Sequence, residues 1–298
     1  MRVAYLGPPG TYSEEALRAS APPGIEEVPH ATIHDAVMAL QEGSVERAVV
    51  PIENALEGAV AVTLDTLALE ATDVHIVAEV VHPIHHCVVA AQEVELSEVE
   101  RVVSHPQATA QCARFLRERL PDAERVVAPS TADAVVSVRD GGDSAVALGS
   151  RLAAELYGCR VLEYDVEDGP DNATRFVWLA RERSSPDEAI KTSLVFWGGD
   201  DQSPGWLVRC LSELSDRAVN LTRIESRPRR TALGHYMFFA DLDGGAEERP
   251  VREALEALGK RVEELRVLGS YPRIGGASGY TDPHRETAHG TDPRGRGG

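Results

Sequence analysis

The sequence predicts an α/β protein with two domains, and three observations lead to this prediction. The chain has 298 residues, which exceeds the usual size of a single hydrophobic core. Over roughly the first 180 residues, short runs of β-branched residues alternate with amphipathic helical patterns. After a polar segment the order of the elements changes, so we expect a second domain of a different kind.

The first domain is predicted to alternate strands and helices in the way that builds mainly parallel sheets. The candidate strands are Arg2–Leu6, Ala48–Ile52, Val74–Val80, Ile84–Ala90, Arg101–Val103, Arg125–Ala128, Ala145–Leu148, Val161–Tyr164 and Phe176–Ala180. The helical patterns between them are Ser13–Ala19, Ile33–Glu42, Gln107–Leu120, Thr131–Asp140 and Ser150–Tyr157. In domains of this kind, ligands bind beyond the carboxyl ends of the strands.

A polar linker, Arg181–Ala189, separates the two domains and contains Pro186. The predicted elements after it are Thr192–Phe196, Pro204–Ser215, Asn220–Ser226, Tyr236–Asp241, Arg249–Gly259 and Glu264–Ser270. Their order, strand–helix–strand–strand–helix–strand, describes a ferredoxin-like domain over residues 190–272. Residues 273–298 are rich in Gly, Arg, His, Asp and Thr and offer little to bury, so we predict a disordered tail.

Composition excludes several classes of partner. The formal charge of −18 argues against a nucleic-acid partner, because phosphate binding needs a positive surface. No run of 18 apolar residues exists, so we expect no membrane span. The short apolar run after Met1 lacks the basic start and the length of a secretory signal, and we expect a cytoplasmic protein.

Neither the cysteines nor the histidines predict a metal site. The four cysteines are scattered without a CxxC pair, so we interpret them as buried small side chains. His82, His85 and His86 lie close in sequence, and His82 and His86 would share one face of a strand. No cysteine or acid falls at ligand spacing with them, and we therefore expect no metal.

Polar residues collect at four junctions between strands and loops of the first domain. The junctions are Gly7–Glu14, Val50–Gly58, Ser104–Cys112 and Gly169–Phe176. Glycines in the first junction allow close approach of a ligand to the backbone, and the helix that follows offers free N–H groups to an anion. Four polar junctions in one alternating domain indicate a shared binding site.

Each junction also has a purely structural explanation. Thr11 and Glu14 have the spacing of a capping box, which needs no ligand. Asn54 is a common turn residue, and Ser104 is able to cap the helix that follows it. These alternatives stay open on the residues alone. The fourth junction adds Thr174 beside Arg175, a plausible donor pair for an anionic substrate.

These motifs resemble those of the prephenate dehydratase family, and they occur in that family's order. The matching runs are Gly7–Ser13, Pro51–Asn54, Ser104–Gln107 with Gln111–Cys112, and Asn172–Phe176. In the second domain, Asn220–Pro228 resembles the effector-binding signature of the family's ACT domain, and Tyr236–Asp241 fits the strand after it. The resemblance covers residues 1–272.

The resemblance implies a catalytic domain over residues 1–182 with two lobes, like those of a type II periplasmic binding protein. The chain would cross between the lobes near residues 82–86 and return before Asn172. The implied substrate is prephenate, which loses carbon dioxide and its ring hydroxyl to give phenylpyruvate without any cofactor. Thr174 is implied as the catalytic hydroxyl. The implied substrate-binding residues are Thr11, Ser13, Asn54, Ser104, Gln107, Gln111, Asn172 and Arg175. Arg175 would hold a carboxylate, or it would pair with an acid between the lobes.

The resemblance also implies an ACT domain that binds L-phenylalanine as an allosteric effector, in a homodimer or homotetramer. The implied effector-binding residues are Gly205, Trp206, Leu207, Asn220, Leu221, Glu225, Ser226, Arg227 and Pro228. Two positions depart from the family. Ala55 replaces a hydroxyl residue that often follows Asn54, and Trp206 places a large ring where the family keeps a methyl group beside the effector pocket.

Two alternatives to a prephenate dehydratase remain open, a non-catalytic sensor and an enzyme that acts on arogenate. A two-lobed domain joined to an ACT domain is able to sense small molecules without catalysis, because fold does not fix function. The Thr174–Arg175 pair favours an enzyme. The third possibility is the same chemistry on arogenate, which carries an amine where prephenate carries a keto group.

Overall fold

The computed structural model describes residues 1–142, 144–169, 171–184 and 189–274. Over these residues the chain forms two α/β lobes and a C-terminal α/β domain, each built on its own sheet. The predicted tail lies outside the described residues from residue 275 onward. Arg273 and Ile274 are described: the Ile274 N–H donates to the Glu79 carbonyl, and the Arg273 guanidinium pairs with the Glu79 carboxylate.

The first lobe is built on a six-stranded mixed sheet. Its elements are β1 Arg2–Leu6, α1 Tyr12–Ser20, β2 Glu26–His30, α2 Ile33–Gln41, β3 Arg47–Asn54, β4 Gly58–Ala59, α3 Ala61–Leu69, β5 His75–Pro83 and β11 Ala173–Ala180. The strand order is β2-β1-β3-β11-β5, with β4 beside β3. Strands β2 and β4 and helix α3 were not predicted from the sequence.

The second lobe is an insertion between β5 and β11 with a five-stranded sheet. Its elements are β6 Cys87–Ala90, a 3₁₀ turn Leu96–Glu98, β7 Arg101–Ser104, α4 Pro106–Gln111, α5 Ala113–Arg119, β8 Glu124–Val127, α6 Thr131–Gly141, β9 Ala145–Gly149, α7 Arg151–Tyr157 and β10 Arg160–Glu163. The strand order is β10-β6-β9-β7-β8. The single helix predicted over Gln107–Leu120 is divided at Cys112 into α4 and α5.

The prediction of mainly parallel sheets was wrong, because both sheets are mixed. In the first lobe β1 pairs in parallel with β2 and β3, whereas β11 is antiparallel to β3 and β5. In the second lobe β7 is parallel to β8 and β9, whereas β6 is antiparallel to β9. The physical reason in the first lobe is that β11 returns from the other lobe and enters the sheet from the opposite end.

The C-terminal domain has its six elements in the predicted βαββαβ order. They are β12 Lys191–Trp197, α8 Trp206–Ser215, β13 Leu221–Pro228, β14 Tyr236–Asp243, α9 Arg249–Gly259 and β15 Glu264–Tyr271. The strand order is β13-β14-β12-β15. One face of this sheet packs under α8 and α9 around buried Phe196 and Trp206.

The other face of the C-terminal sheet shares a hydrophobic core with the first lobe. Val195, Phe239 and Leu268 belong to the same buried cluster as Ile76 and Val177 of that lobe. Both faces of the sheet are therefore covered, and the two units are held together by apolar burial. Within the described part of the chain, no helix has the length and apolar character needed to cross a membrane.

Gly269 sits where the C-terminal domain meets the first lobe, and it leads to a testable prediction. A Cβ atom at this position would overlap the Ile76 carbonyl oxygen, which is backbone and cannot rotate away. We expect Gly269→Ala to lower the free energy of unfolding by about 1–3 kcal/mol, because the packed sheets must separate. Urea denaturation measures this change.

Gly259→Ala is the matched control for this prediction. Its Cβ would meet Leu265 at 3.6 Å, an ordinary van der Waals contact. We therefore expect this second variant to unfold at the wild-type urea concentration or above. Equal stability of the two variants would show that Gly269 is not tightly packed against Ile76.

Candidate active site

A cavity of about 420 Å³ lies between the two lobes. Strands β1, β3, β7 and β8 all end at its edge, and β11 begins there, because an antiparallel strand starts where its neighbours finish. Six of the predicted residues line it: Thr11, Ser13, Asn54, Gln107, Gln111 and Thr174. The first lobe supplies four of these and the second lobe supplies the two glutamines.

Asn54 orients the hydroxyl of Thr174. The Asn54 Oδ1 atom accepts hydrogen bonds from the backbone N–H groups of Leu56 (2.9 Å) and Glu57 (3.1 Å), which fixes the direction of its amide. Its Nδ2 atom therefore points the other way and donates to Thr174 Oγ1 at 2.9 Å. Because Oγ1 accepts this bond, the hydroxyl proton of Thr174 is free to donate to a group in the cavity.

A second hydrogen-bond network holds Gln111. Its Oε1 atom accepts from Asn172 Nδ2 at 3.0 Å and lies 2.8 Å from His86 Nε2. With the oxygen engaged, the Gln111 amide nitrogen is the group left to meet a ligand. Asn172 does not line the cavity; it also meets Asn54, with Asn54 Nδ2 at 3.3 Å from its Oδ1. Asn172 therefore supports Asn54 and Gln111 from behind, through hydrogen bonds to both side chains.

His86 lines the cavity, although the sequence analysis did not select it as a site residue. Its Nδ1 atom lies 2.7 Å from the Tyr12 hydroxyl, and Tyr12 lines the cavity as well. Burial lowers the pKa of His86, so the imidazole is neutral at pH 7. Because Gln111 Oε1 is an acceptor, His86 Nε2 donates to it, while the Tyr12 hydroxyl lies between His86 Nδ1 and the His85 carbonyl, 2.9 Å from the latter.

Three helices of nine or more residues begin at the cavity wall. The lining includes Thr11–Ser13 at the start of α1, Gly58–Val60 immediately before α3, and Pro129–Thr131 at the start of α6. The Thr11 hydroxyl donates to the Leu6 carbonyl, so α1 has no side-chain cap on its first N–H groups. Helix N-termini attract anions. In the described residues, no lysine or arginine contributes to the lining.

The structure corrects the prediction for Arg175. Successive residues of a strand point to opposite faces of the sheet, so with Thr174 facing the cavity Arg175 faces away from it. Its guanidinium forms ion pairs with Glu53, Glu79 and Asp241, the last from the C-terminal domain. Arg175 does pair with acids, but they belong to the first lobe and the C-terminal domain and not, as the alternative had it, to the interface between the two lobes. Ser104 also lies outside the lining, with its hydroxyl donating to the His105 carbonyl.

Six polar lining residues were missed: Tyr12, Glu57, His86, His105, Ser130 and Thr131. The last two follow β8, a strand that the sequence did predict in outline, so the rule that ligands bind beyond strand ends would have found them. His86 had no such signal, because its role depends on where the chain crosses between the lobes.

The three clustered histidines have separate surroundings. His82 Nε2 lies 3.2 Å from Glu15, and His86 faces the cavity. His85 Nδ1 lies 2.8 Å from Glu167 and 3.3 Å from Asp165. Each of these three residues offers one atom that could bind a metal ion, and the three atoms lie within 4.8 Å of one another. The absence of a metal site in this segment stays a prediction.

The residues implied in effector binding do not meet in one place within a single chain. Gly205, Trp206 and Leu207 line a cavity of about 300 Å³ in the C-terminal domain. Among the described lining residues of that cavity, none comes from Asn220–Pro228. Arg227, on the edge strand β13, forms two hydrogen bonds with Asp65 of α3.

Trp206 is part of the C-terminal core. Its ring packs on Phe196 and Phe238, with centroids 6.1 and 5.9 Å away, and its Nε1 donates to the Arg261 carbonyl at 3.2 Å. The side chain is 5% exposed and forms one wall of the 300 Å³ cavity. The large ring is thus accommodated mainly inside the domain.

Comparison of the sequence with those of known proteins identifies the family of this chain. The sequence model of the family "Prephenate dehydratase" matches residues 3–184. The prephenate dehydratase of Amycolatopsis methanolica is 38% identical over 294 residues, covering 98% of this chain and 95% of that protein. The chain belongs to the prephenate dehydratase family. The reaction of this family is a lyase reaction, the decarboxylative dehydration of prephenate to phenylpyruvate in phenylalanine biosynthesis.

Two solved structures are similar over most of the chain. One is the prephenate dehydratase of Arthrobacter aurescens in complex with L-Phe, with 35% identity and a TM-score of 0.84, covering 95% of this chain and 94% of that chain. The other is described as a novel type of quorum quenching acylase, with 33% identity and a TM-score of 0.80, covering 92% and 98%.

The contact between Asn54 and Thr174 leads to a second prediction. Asn54→Asp keeps the oxygen that accepts from the two backbone N–H groups but replaces the amide donor with an acceptor. The Thr174 hydroxyl would then donate to Asp instead of to the substrate, so we expect kcat for prephenate to fall about 10²–10³-fold. Steady-state kinetics measure this, and an Asp variant with the wild-type kcat would refute the role of Asn54 in orienting the hydroxyl.

Proposed function

We propose that the cavity between the lobes binds prephenate and that Thr174 assists departure of its ring hydroxyl. The observation that carries this proposal is the hydrogen bond from Asn54, which leaves the Thr174 proton available on the cavity side. A volume of about 420 Å³ lies in the range of small-molecule sites. Gln107 and Gln111 of the second lobe, together with the helix N-termini, would hold the two carboxylates.

The chemistry needs little from the protein beyond orientation and hydrogen bonding. The bond between the ring and its carboxylate breaks, and its electron pair enters the ring as the carbon–oxygen bond of the hydroxyl breaks. The dianion prephenate thereby gives the monoanion phenylpyruvate, carbon dioxide and hydroxide. A threonine hydroxyl is a weak acid, so a directed hydrogen bond to the departing oxygen is its expected contribution. Aromatisation of the ring drives the reaction.

Arogenate is the second candidate substrate, and Glu57 is the observation that favours it. Glu57 lines the cavity, and it is the one acid among the described lining residues. A carboxylate there would attract the ammonium group of arogenate and would repel the second carboxylate of prephenate. We place prephenate first because it is the substrate that the family is named for.

For the C-terminal domain we propose an ACT domain that binds L-phenylalanine and forms a homo-oligomer in the cytoplasm. The βαββαβ order and the Asn220–Pro228 signature support this assignment. The relative from Arthrobacter aurescens was crystallised with L-Phe. Strand β13 is at the edge of its sheet and exposes Ile224, and Val208 of α8 is 67% exposed beside the 300 Å³ cavity. An open strand edge with apolar neighbours suits pairing with a second copy, which would complete the effector site.

The catalytic proposal is tested by removing the Thr174 hydroxyl while keeping the shape of the side chain. We expect Thr174→Val to lower kcat for prephenate about 10²–10³-fold, because one directed donor is lost. Thr174→Ser retains the donor and is expected to stay within about tenfold of wild type. Phenylpyruvate formation measures both variants.

Parallel reactions identify the alternatives. Arogenate is assayed beside prephenate, and an acylated quorum-sensing signal is included because one similar structure is described as a quorum quenching acylase. Folded wild-type protein that turns over none of the three would make a non-catalytic sensor the leading interpretation. A Thr174→Val variant as fast as wild type would reject the role of the hydroxyl.

The effector proposal predicts a specific loss of binding. We expect wild-type protein to bind L-phenylalanine in calorimetry, and Val208→Asp to abolish binding, because a charge would replace an apolar side chain at the cavity and at the proposed subunit contact. Val127→Asp is the matched control, since Val127 is 74% exposed but lies on β8 of the second lobe. Loss of binding in both variants, or in neither, would reject the placement.

A further inference from the structure

A buried cluster of charges lies on the face of β11 opposite the cavity. Arg175 Nη2 is 2.7 Å from Asp241 Oδ2 and 3.0 Å from Glu53 Oε2, and its Nη1 is 3.2 Å from Glu79 Oε2. Glu53 and Glu79 belong to β3 and β5 of the first lobe, whereas Asp241 belongs to β14 of the C-terminal domain. Arg175 therefore joins the two domains by direct ion pairs.

Asp241 is held as a buried carboxylate. Burial acts to raise the pKa of Asp241, but Arg175 and Arg223 together keep it below its ordinary value, so the group is charged at neutral pH. The Ser193 hydroxyl donates to its second oxygen at 2.5 Å. Removing the charge of Asp241 would leave Arg175 with one fewer buried partner, which is a large perturbation in a low-dielectric site.

The backbone connects this cluster to the catalytic pair. In the ladder between β11 and β3, Arg175 pairs with Glu53, and the adjacent pair is Thr174 with Asn54. The register shifts immediately afterwards, between Arg175 and Phe176. Bulges of this kind re-aim side chains near active sites. The ladder to β5 on the other edge stays regular from Ala173 to Trp178, so the side-chain contacts of Arg175 support the start of β11 on the edge where the ladder to β3 is irregular.

We propose that Asp241 of the C-terminal domain is a positioning residue for the dehydratase reaction, acting through Arg175 on Thr174. The inference rests on the proposed role of Thr174. It means that the C-terminal domain completes the support of the catalytic hydroxyl and is not only a site of regulation. The Thr174–Asn54 pair would face the substrate, and the Arg175–Glu53 pair is held by the ion pair between Arg175 and Asp241 of the C-terminal domain.

Asp241→Asn in the full-length chain tests this proposal. The substitution keeps the shape of the side chain and an oxygen for Ser193 but removes the charge that holds Arg175. We expect kcat for prephenate to fall about 10- to 100-fold, because a small displacement of a catalytic group is costly. KM is expected to stay within about threefold, since Asp241 does not face the cavity. Amide hydrogen exchange in the peptide over residues 172–177 should become faster.

Glu213→Gln is the matched control. Glu213 is also a mostly buried acid of the C-terminal domain, and it pairs with Arg217 and Arg261 of the same domain. Its loss perturbs that domain without touching β11. We expect the wild-type kcat and the wild-type hydrogen exchange over residues 172–177 in this variant.

If Asp241→Asn does not fold, Ser193→Ala tests the positioning role of Asp241 instead. It removes the contacts of Ser193 with Asp241 and with the Tyr271 hydroxyl but no charge, so a smaller fall in kcat with the same faster exchange is expected. A folded Asp241→Asn protein with wild-type kcat and exchange would overturn the proposal, as would unchanged behaviour of Ser193→Ala or an equal loss in Glu213→Gln. Wild-type protein that is inactive on prephenate would reject the proposed function instead, and hydrogen exchange would still test whether Asp241 fixes β11.

Discussion

The alternation of side chains along β11 is the constraint on which the rest of this structure depends. Thr174 faces the cavity between the lobes, and Arg175 faces the C-terminal domain. Because the two residues are adjacent, any force on one is transmitted through a single peptide unit to the other. The strand also lies between β3 and β5, so both of its edges are paired and its position is fixed from each side.

The polar groups that line the cavity are mostly uncharged hydrogen-bond donors, and this determines its electrostatic character. The described lining has amides, hydroxyls, the neutral imidazole of His86, the ring of His105 and the N-termini of helices, and its one acidic residue is Glu57. In the proposed site, a dianion held by dipoles would keep its charge available for reaction, whereas a tight ion pair would stabilise the carboxylate that must leave as carbon dioxide. The arginines lie instead behind the sheet, where Arg175 and Arg223 balance Glu53 and Asp241. Strand β11 thus separates the cavity from the arginine–carboxylate cluster on the opposite face of the sheet.

Much of this arrangement was predictable from the sequence. Polar residues after β1 and at the end of β3 placed Thr11 and Asn54 in one cavity, since these parallel strands present their carboxyl ends at a common edge. The order of elements after the linker was equally clear, because helical and strand periodicities alternate there without interruption. Thr174 was selected through resemblance, and it lines the cavity, whereas its catalytic role stays a prediction.

Other features depend on contacts between parts of the chain that are distant in sequence. The direction of Arg175 follows from the register of β11 and from the packing of β14, which no local pattern records. Helix α3 was missed because it lacks a polar face; Thr63, Asp65 and Thr66 are all buried, and Asp65 is paired with arginines of the C-terminal domain. Strand β2 was missed because its sequence is polar and includes Pro29, which an edge strand tolerates.

Whether Asn54 acts by directing the hydroxyl of Thr174 is tested most directly by a double-mutant cycle. The kcat for prephenate is measured in wild type, Asn54→Ala, Thr174→Val and the variant with both substitutions. If Asn54 works through Thr174, the double variant has the kcat of Thr174→Val alone, because there is no longer a hydroxyl to orient. If the two losses multiply, Asn54 and Thr174 act independently, and Asn54 does not direct the catalytic hydroxyl.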